Sequence, residues 1–117
     1  MNNIKLVPVT PEILKRFYGE APQQTVRAIA GVRGEEVLGI AGYFVDRARV
    51  VVFSDIPEEN RKYRVSIMKG AGILLKMVSK TGMPVHAIPD ANIKDADRFL
   101  KHLGFKELYK GVFAWRN

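Results

Sequence analysis

The run Val50-Val51-Val52-Phe53 constrains this chain more than any other stretch. Successive side chains of a strand point to opposite faces, so a strand with one wet face alternates apolar and polar residues. A run of β-branched and aromatic residues with no polar member suits a strand covered on both faces. Residues 49–53 are therefore expected to be an interior strand, with other elements packed above and below it.

The flanking segments supply the rest of a sheet. Residues 25–32 and 37–45 are β-rich and are joined by the turn Arg33-Gly34-Glu35-Glu36. Asp46-Arg47-Ala48 makes a tight connection into residues 49–53, so these three segments form an antiparallel meander. Residues 4–9 are a first strand. Thr10-Pro11-Glu12 starts a helix, with Thr10 as N-cap and Pro11 at the first helical position, and Gly19 stops it.

Beyond the meander, Pro57-Glu58-Glu59-Asn60 punctuates the chain. From 61 to 80, Ile67, Ala71, Leu74, Leu75 and Val78 recur at helical spacing, and Thr81-Gly82 ends that helix. Residues 85–88 form a fifth strand. Residues 94–103 form an amphipathic helix with Ala96, Phe99, Leu100 and Leu103 turned inward and Gly104 at its C-terminal cap. Residues 105–109 and 112–115 close the chain as two strands joined through Lys110-Gly111. The expected class is α/β (α+β), in the order β-α-β-β-β-α-β-α-β-β, with a mixed, mostly antiparallel sheet flanked by helices.

The length of 117 residues suits one domain with one core, over residues 1–117. The chain has no cysteine, which excludes disulfides, thiolate zinc sites and a cysteine nucleophile. Its two histidines, His86 and His102, are too few for a histidine-rich metal site, and no metal is expected. His86 reads as a satisfied histidine of a strand and His102 as an exposed one. No apolar run approaches the about 20 residues that span a bilayer, and Met1-Asn2-Asn3-Ile4-Lys5 lacks a signal-peptide core. A cytoplasmic location is expected. The net charge of +7 favours anionic partners without choosing among them. No helix-turn-helix, RNP or zinc pattern accompanies it, so nucleic acid is not an expected partner. Tyr109, Phe113 and Trp115 recur near a period of two, which favours sheet packing over base stacking.

Three stretches together carry a family likeness. Ala96-Asp97-Arg98-Phe99-Leu100-Lys101-His102-Leu103-Gly104-Phe105 is similar to the pattern Ala-x-x-Phe-Tyr-x-Lys-x-Gly-Phe. Val37-Leu38-Gly39-Ile40-Ala41-Gly42, after a charged turn, is similar to a hairpin entering Val-Gly-Phe-Ala. Phe53-Ser54-Asp55-Ile56-Pro57-Glu58 is similar to Val-x-Pro-Glu. In that order the three resemble the GNAT superfamily of N-acetyltransferases, and the element order agrees along nearly the whole chain. Small degenerate members of this kind occur in phage-encoded proteins.

The resemblance implies that acetyl-CoA binds as co-substrate, its pyrophosphate at a helix N-terminus in a loop of the pattern Arg/Gln-x-x-Gly-x-Gly/Ala. Glycines let backbone N–H groups approach the phosphates, and the helix dipole favours the negative charge. Two registers are open. Arg61, Lys62, Tyr63, Arg64, Val65 and Ser66 occupy the loop in the first, with Arg64 where glycine is expected. Lys69-Gly70-Ala71-Gly72-Ile73-Leu74 occupies it in the second, which leaves only about two turns of helix. Helix length favours the first, and close packing on the sheet would then explain Gly70 and Gly72. Asn92 lies near a further family position for the cofactor.

The family often places a base on the fourth strand, and Asp55 is the candidate here; as a bare residue it also reads as a turn or helix-initiating aspartate. Leu100 stands where many members have a tyrosine acid. Glu58 and Glu59 read as solvated. The functions implied are acetyl transfer to an amine of a small molecule or protein, or a non-catalytic GNAT-like binding or structural role, in a virion or elsewhere, with a protein partner or a second copy.

Overall fold

The computed structural model describes residues 3–19, 26–89 and 96–115. Its strands are β1 (Lys5–Pro8), β2 (Arg27–Arg33), β3 (Glu36–Asp46), β4 (Arg49–Asp55), β5 (Val85–Ala87), β6 (Phe105–Tyr109) and β7 (Val112–Trp115). The helices are α1 (Pro11–Tyr18), α2 (Arg64–Ser79) and α3 (Ala96–His102), with a 3-10 turn at Glu58–Asn60 before α2. The seven strands form one open sheet in the order β1-β2-β3-β4-β5-β7-β6. All neighbours pair antiparallel except β4 and β5, which run parallel. The order of elements along the chain is the one read from the sequence.

Local chemistry explains the boundaries. Thr10 Oγ1 accepts the Ile13 amide at 3.2 Å, Pro11 opens α1, and Gly19 closes it at φ 84°. A left-handed φ costs most residues steric strain and glycine very little. β4 runs to Asp55, beyond the expected 53, because β3 keeps pairing with it as far as Ile40 opposite Asp55. β5 stops at Ala87, one residue before the expected 88, with Pro89 close behind. Proline has no amide to donate and restricts the residue before it.

α2 begins at Arg64 rather than 61. The preceding chain is held in a different shape: the Asn60 and Arg61 amides close 3-10 turns on Pro57 and Glu58, and Asn60 Nδ2 donates to the Leu38 carbonyl at 2.9 Å. Gly70 and Gly72 lie inside the helix, as the first register requires. A Cβ at Gly70 would meet Ile29 Cδ1 at 3.5 Å, so close packing accounts for it. Gly72 has open space around it, and packing does not account for it.

The sheet has a core on each face. Ala28 and Ala30 of β2, Ile40 of β3 and Leu14 of α1 form one, with Phe53 packed against it. Val50, Val85, Ala87, Phe105 and Phe113 form the other with Leu74 and Val78 of α2. Both faces of β4 are thus used, which is what the run of valines requires.

Three sequence expectations need correction. Phe99 does not turn inward; it is 36% exposed, while Leu100 and Leu103 pack on the core. Phe99 and Leu100 lie about 100° apart on the flanks of one helical face, and the core takes up Leu100 and Leu103 while Phe99 stays at its edge. Tyr109 does not pack in the sheet but stands in solvent on the outer strand β6. His86 is not satisfied by the described residues: its Nδ1 is buried without a hydrogen-bond partner among them. Its cross-strand neighbours are Val51 and Ala114, whose side chains have nothing to donate or accept.

Candidate functional site at the end of the parallel seam

The β4–β5 seam is short. Val50, Val51 and Val52 pair with Val85, His86 and Ala87, and there the ladder ends. β4 continues through Phe53, Ser54 and Asp55 with β3 alone as its partner. The parallel pairing thus stops short of Asp55 and Pro89. Open α/β sheets bind ligands beyond the carboxyl ends of parallel strands, where the crossovers leave a crevice. Here β4 delivers Asp55 and the chain leading into α2 to that end.

The route from β4 to α2 passes close over a glycine. A Cβ at Gly39 would sit 3.0 Å from Ile56 Cγ1, so a larger residue there would push Ile56 outward by a few tenths of an ångström. Arg61 then folds back, its Nε donating to the Ile56 carbonyl at 3.1 Å.

Asp55 is exposed, and Tyr18, the last residue of α1, donates its hydroxyl to Asp55 Oδ2. Asp55 Oδ1 has no partner among the described residues, and Asp55 makes no ion pair among them. Tyr18 stacks edge-on against Phe17, ring centroids 5.0 Å apart. Its hydroxyl is held well above the ordinary tyrosine range by burial, then by the bond to Asp55 and by the carboxylate's charge. The shared proton therefore stays on Tyr18, and Asp55 faces solvent as an acceptor-only anion.

The start of α2 carries the other sequence candidates. Tyr63 is its N-cap residue, makes no side-chain cap, and no acidic residue lies in the first turn. The first helical amides thus lack side-chain acceptors and face the positive end of the dipole. The Tyr63 hydroxyl accepts from Arg33 Nη1 at 3.0 Å, and Arg33 and Lys62 lie 5.5 and 5.4 Å from its ring centroid. Lys62 and Arg64 are exposed and make no ion pair among the described residues. Val65 is 67% exposed, and Ser66 is half-buried with no hydrogen bond for its hydroxyl among the described residues. Glu58 and Glu59 are exposed, as read from the sequence. Asn92 lies outside the described residues. Among the described residues no group of His, Asp and Glu is assembled for a metal ion.

Two residues of this region escaped the sequence reading. Tyr18 and Arg33 lie 37 and 30 positions from their partners Asp55 and Tyr63. Nothing local marks such pairs; only the docking of α1 and α2 on the sheet creates them.

No protein-family model, curated protein or solved structure matches this chain. No helix among the described residues is long and apolar enough to cross a membrane.

Proposed function

We propose that this chain is an acyl-CoA-dependent N-acetyltransferase of the GNAT kind, acting on an amine of a small molecule or protein. The observation that carries the reading is a juxtaposition at the carboxyl end of the parallel seam. A carboxylate with no ion pair among the described residues, Asp55, ends β4, and the chain then enters the uncapped, cation-bearing start of the crossover helix α2. Acetyl transfer needs both kinds of group. The acceptor must lose a proton to attack the thioester carbon, which calls for a base. The co-substrate carries a pyrophosphate, which calls for free amides and positive charge.

In this reading Asp55 takes the amine proton. The backbone amides from Arg64 onward, Ser66 and the charges of Arg61, Lys62 and Arg64 meet the phosphates. Tyr63 and Val65 line the approach, and Asn92 contributes by its family position. Arg64 either pairs with phosphate or fills space that glycine would leave open. Leu100 offers no proton to a leaving thiolate, so that role falls to another group or to water.

A second reading, a non-catalytic GNAT-like binding or structural protein, including the phage-encoded kind, has its own support. It rests on Arg64 in place of glycine and on Leu108 and Tyr109, exposed on the outer strand β6. A protein partner or a second copy belongs to that reading.

Calorimetric titration with acetyl-CoA separates the two. The expected result is saturable binding that weakens in the double variant Arg61→Ala with Arg64→Gly by up to about 2–3 kcal/mol, the scale of charge-assisted bonds. Binding that appears only in the variant identifies Arg64 as a plug. If neither protein binds at millimolar acetyl-CoA, the enzyme reading falls and the non-catalytic one replaces it.

A further inference from the structure

We infer that Tyr18 is a positioning residue for Asp55, and that the couple forms a seat for a cationic group with Asp55 Oδ1 as its contact atom. The inference rests on the acyl-transfer reading only in assigning this seat to the acceptor amine; the seat itself stands on geometry. Asp55 is the last residue of β4, past the end of the β4–β5 ladder, and its carboxylate is exposed. An exposed aspartate ordinarily samples several rotamers and offers either oxygen. Here the Tyr18 hydroxyl occupies Oδ2 and ties the side chain to the C-terminal end of α1. The ring that carries this hydroxyl is itself braced by Phe17.

Three consequences follow for Oδ1. It accepts no hydrogen bond among the described residues, because the Tyr18 hydroxyl is taken by Oδ2. It belongs to the accepting partner of the bond, because the Tyr18 hydroxyl supplies the proton. It meets no competing cation among the described residues: each ion pair there involves another carboxylate, Glu12, Glu36 or Asp46, although the net charge is +7. A fixed, ionised and unclaimed oxygen beside a half-exposed aromatic ring attracts a primary ammonium by charge and hydrogen bonding, and its alkyl stem by apolar contact.

The test uses the full chain and n-butylammonium as probe, with n-butanol as its uncharged counterpart, followed through the side-chain NMR signals of Tyr18 and Asp55. The expected result is a saturable shift with butylammonium in the tens of millimolar, weakened by added salt, and no matching shift with butanol. Asp55→Asn, which keeps the shape and removes the charge, abolishes the response. Tyr18→Phe, which keeps the ring and removes the hydroxyl, weakens it about threefold to tenfold, the worth of an ordinary hydrogen bond at the surface. Denaturant midpoints of both variants, followed in parallel, show that each remains folded. Equal shifts from butanol and butylammonium, no shift from either, or full affinity in either variant overturns the inference. The acyl-transfer reading fails separately. If butylammonium binds as expected while acetyl-CoA does not bind, the cation seat stands and its assignment to an acetyl acceptor falls.

Discussion

The two ends of β4 differ as sharply as any two regions of this molecule. At one end Val50 is wholly buried and its parallel partner Val85 is 3% exposed, sealed under Leu74 and Val78 of α2. At the other end Ser54 and Asp55 are in solvent, and Ile88, just past β5, is 56% exposed. The change occurs within one strand of seven residues. The sealed end consists of valines and a phenylalanine that repay burial. The open end holds a carboxylate, a phenol and helical amides without side-chain caps, which contribute little to stability. Stability and chemistry are thus arranged in series along one strand.

The largest expected effect lies at the sealed end. Phe113 is 1% exposed and pairs across from Ala87, the last residue of the seam. Phe113→Ala should cost about 3–5 kcal/mol, for lost transfer energy and an unfilled cavity, against a total stability of about 5–15 kcal/mol. Phe99→Ala is the matched control on α3, expected to cost about 1 kcal/mol because the residue keeps 36% of its surface in solvent. Urea denaturation of the two side by side decides the point. A similar loss at both positions would show that burial does not separate them as the fold says.

That pair also marks how far the sequence could be read. Thr10, Pro11 and Gly19 state the limits of α1 in local chemistry, and the valine run states that β4 is interior. β6 and β7 fall at the residues expected. α3 was harder to orient because a helix of seven residues can place Ala96 and Leu103 inward with either Phe99 or Leu100 between them. Periodicity admits both, and only the packed core selects Leu100. The site divides in the same way. Asp55 and the residues 61–66 were legible because a strand end and a helix start are local events. Tyr18 was not, because its meeting with Asp55 depends on where α1 docks, and docking is set by Leu14 against Ala28, Ala30 and Ile40 from distant strands.

The strand that backs β4 should respond at an intermediate level, at Gly42 of β3. Gly42 pairs with Phe53 on one side and with Ala28 on the other. A Cβ there would sit 2.5 Å from Ala28 Cβ and 2.5 Å from the Arg27 carbonyl oxygen, closer than any relaxed contact. Replacing a strand glycine by alanine recovers about 0.5–1 kcal/mol of chain entropy, whereas forcing a methyl into a filled space costs about 1–3 kcal/mol. The clash wins, and Gly42→Ala should destabilise by a net 1–2 kcal/mol or so. A calorimetric melting temperature equal to or above the parent's would show that β2 and β3 can separate freely there, and would weaken the picture of a rigid strand ending in an adjustable site.

The smallest effect belongs to the open end, and pH makes it visible. The Tyr18 hydroxyl keeps its proton above 10.0, its ordinary value, because burial and the Asp55 carboxylate both oppose a phenolate. An unfolded chain releases that proton near 10.0 while the folded chain still holds it, so the unfolded state then binds fewer protons and stability falls as pH rises. Below that point both states hold the proton, and the contribution of the Tyr18–Asp55 bond is fully present and flat. The bond lies at the surface, so its worth at neutral pH should be below about 1 kcal/mol, less than a buried bond to a charged group. Tyr18→Phe lacks the titrating hydroxyl. The parent should therefore be slightly more stable than the variant at pH 7–9, and that gap should close as pH rises past 10.0. The other tyrosines and the lysines titrate alike in both proteins and cancel in the difference. Urea midpoints across that range give the result directly. A gap that stays constant with pH would mean that the hydroxyl does not hold the carboxylate in solution, and the open end of β4 would then be an ordinary strand terminus rather than a prepared site.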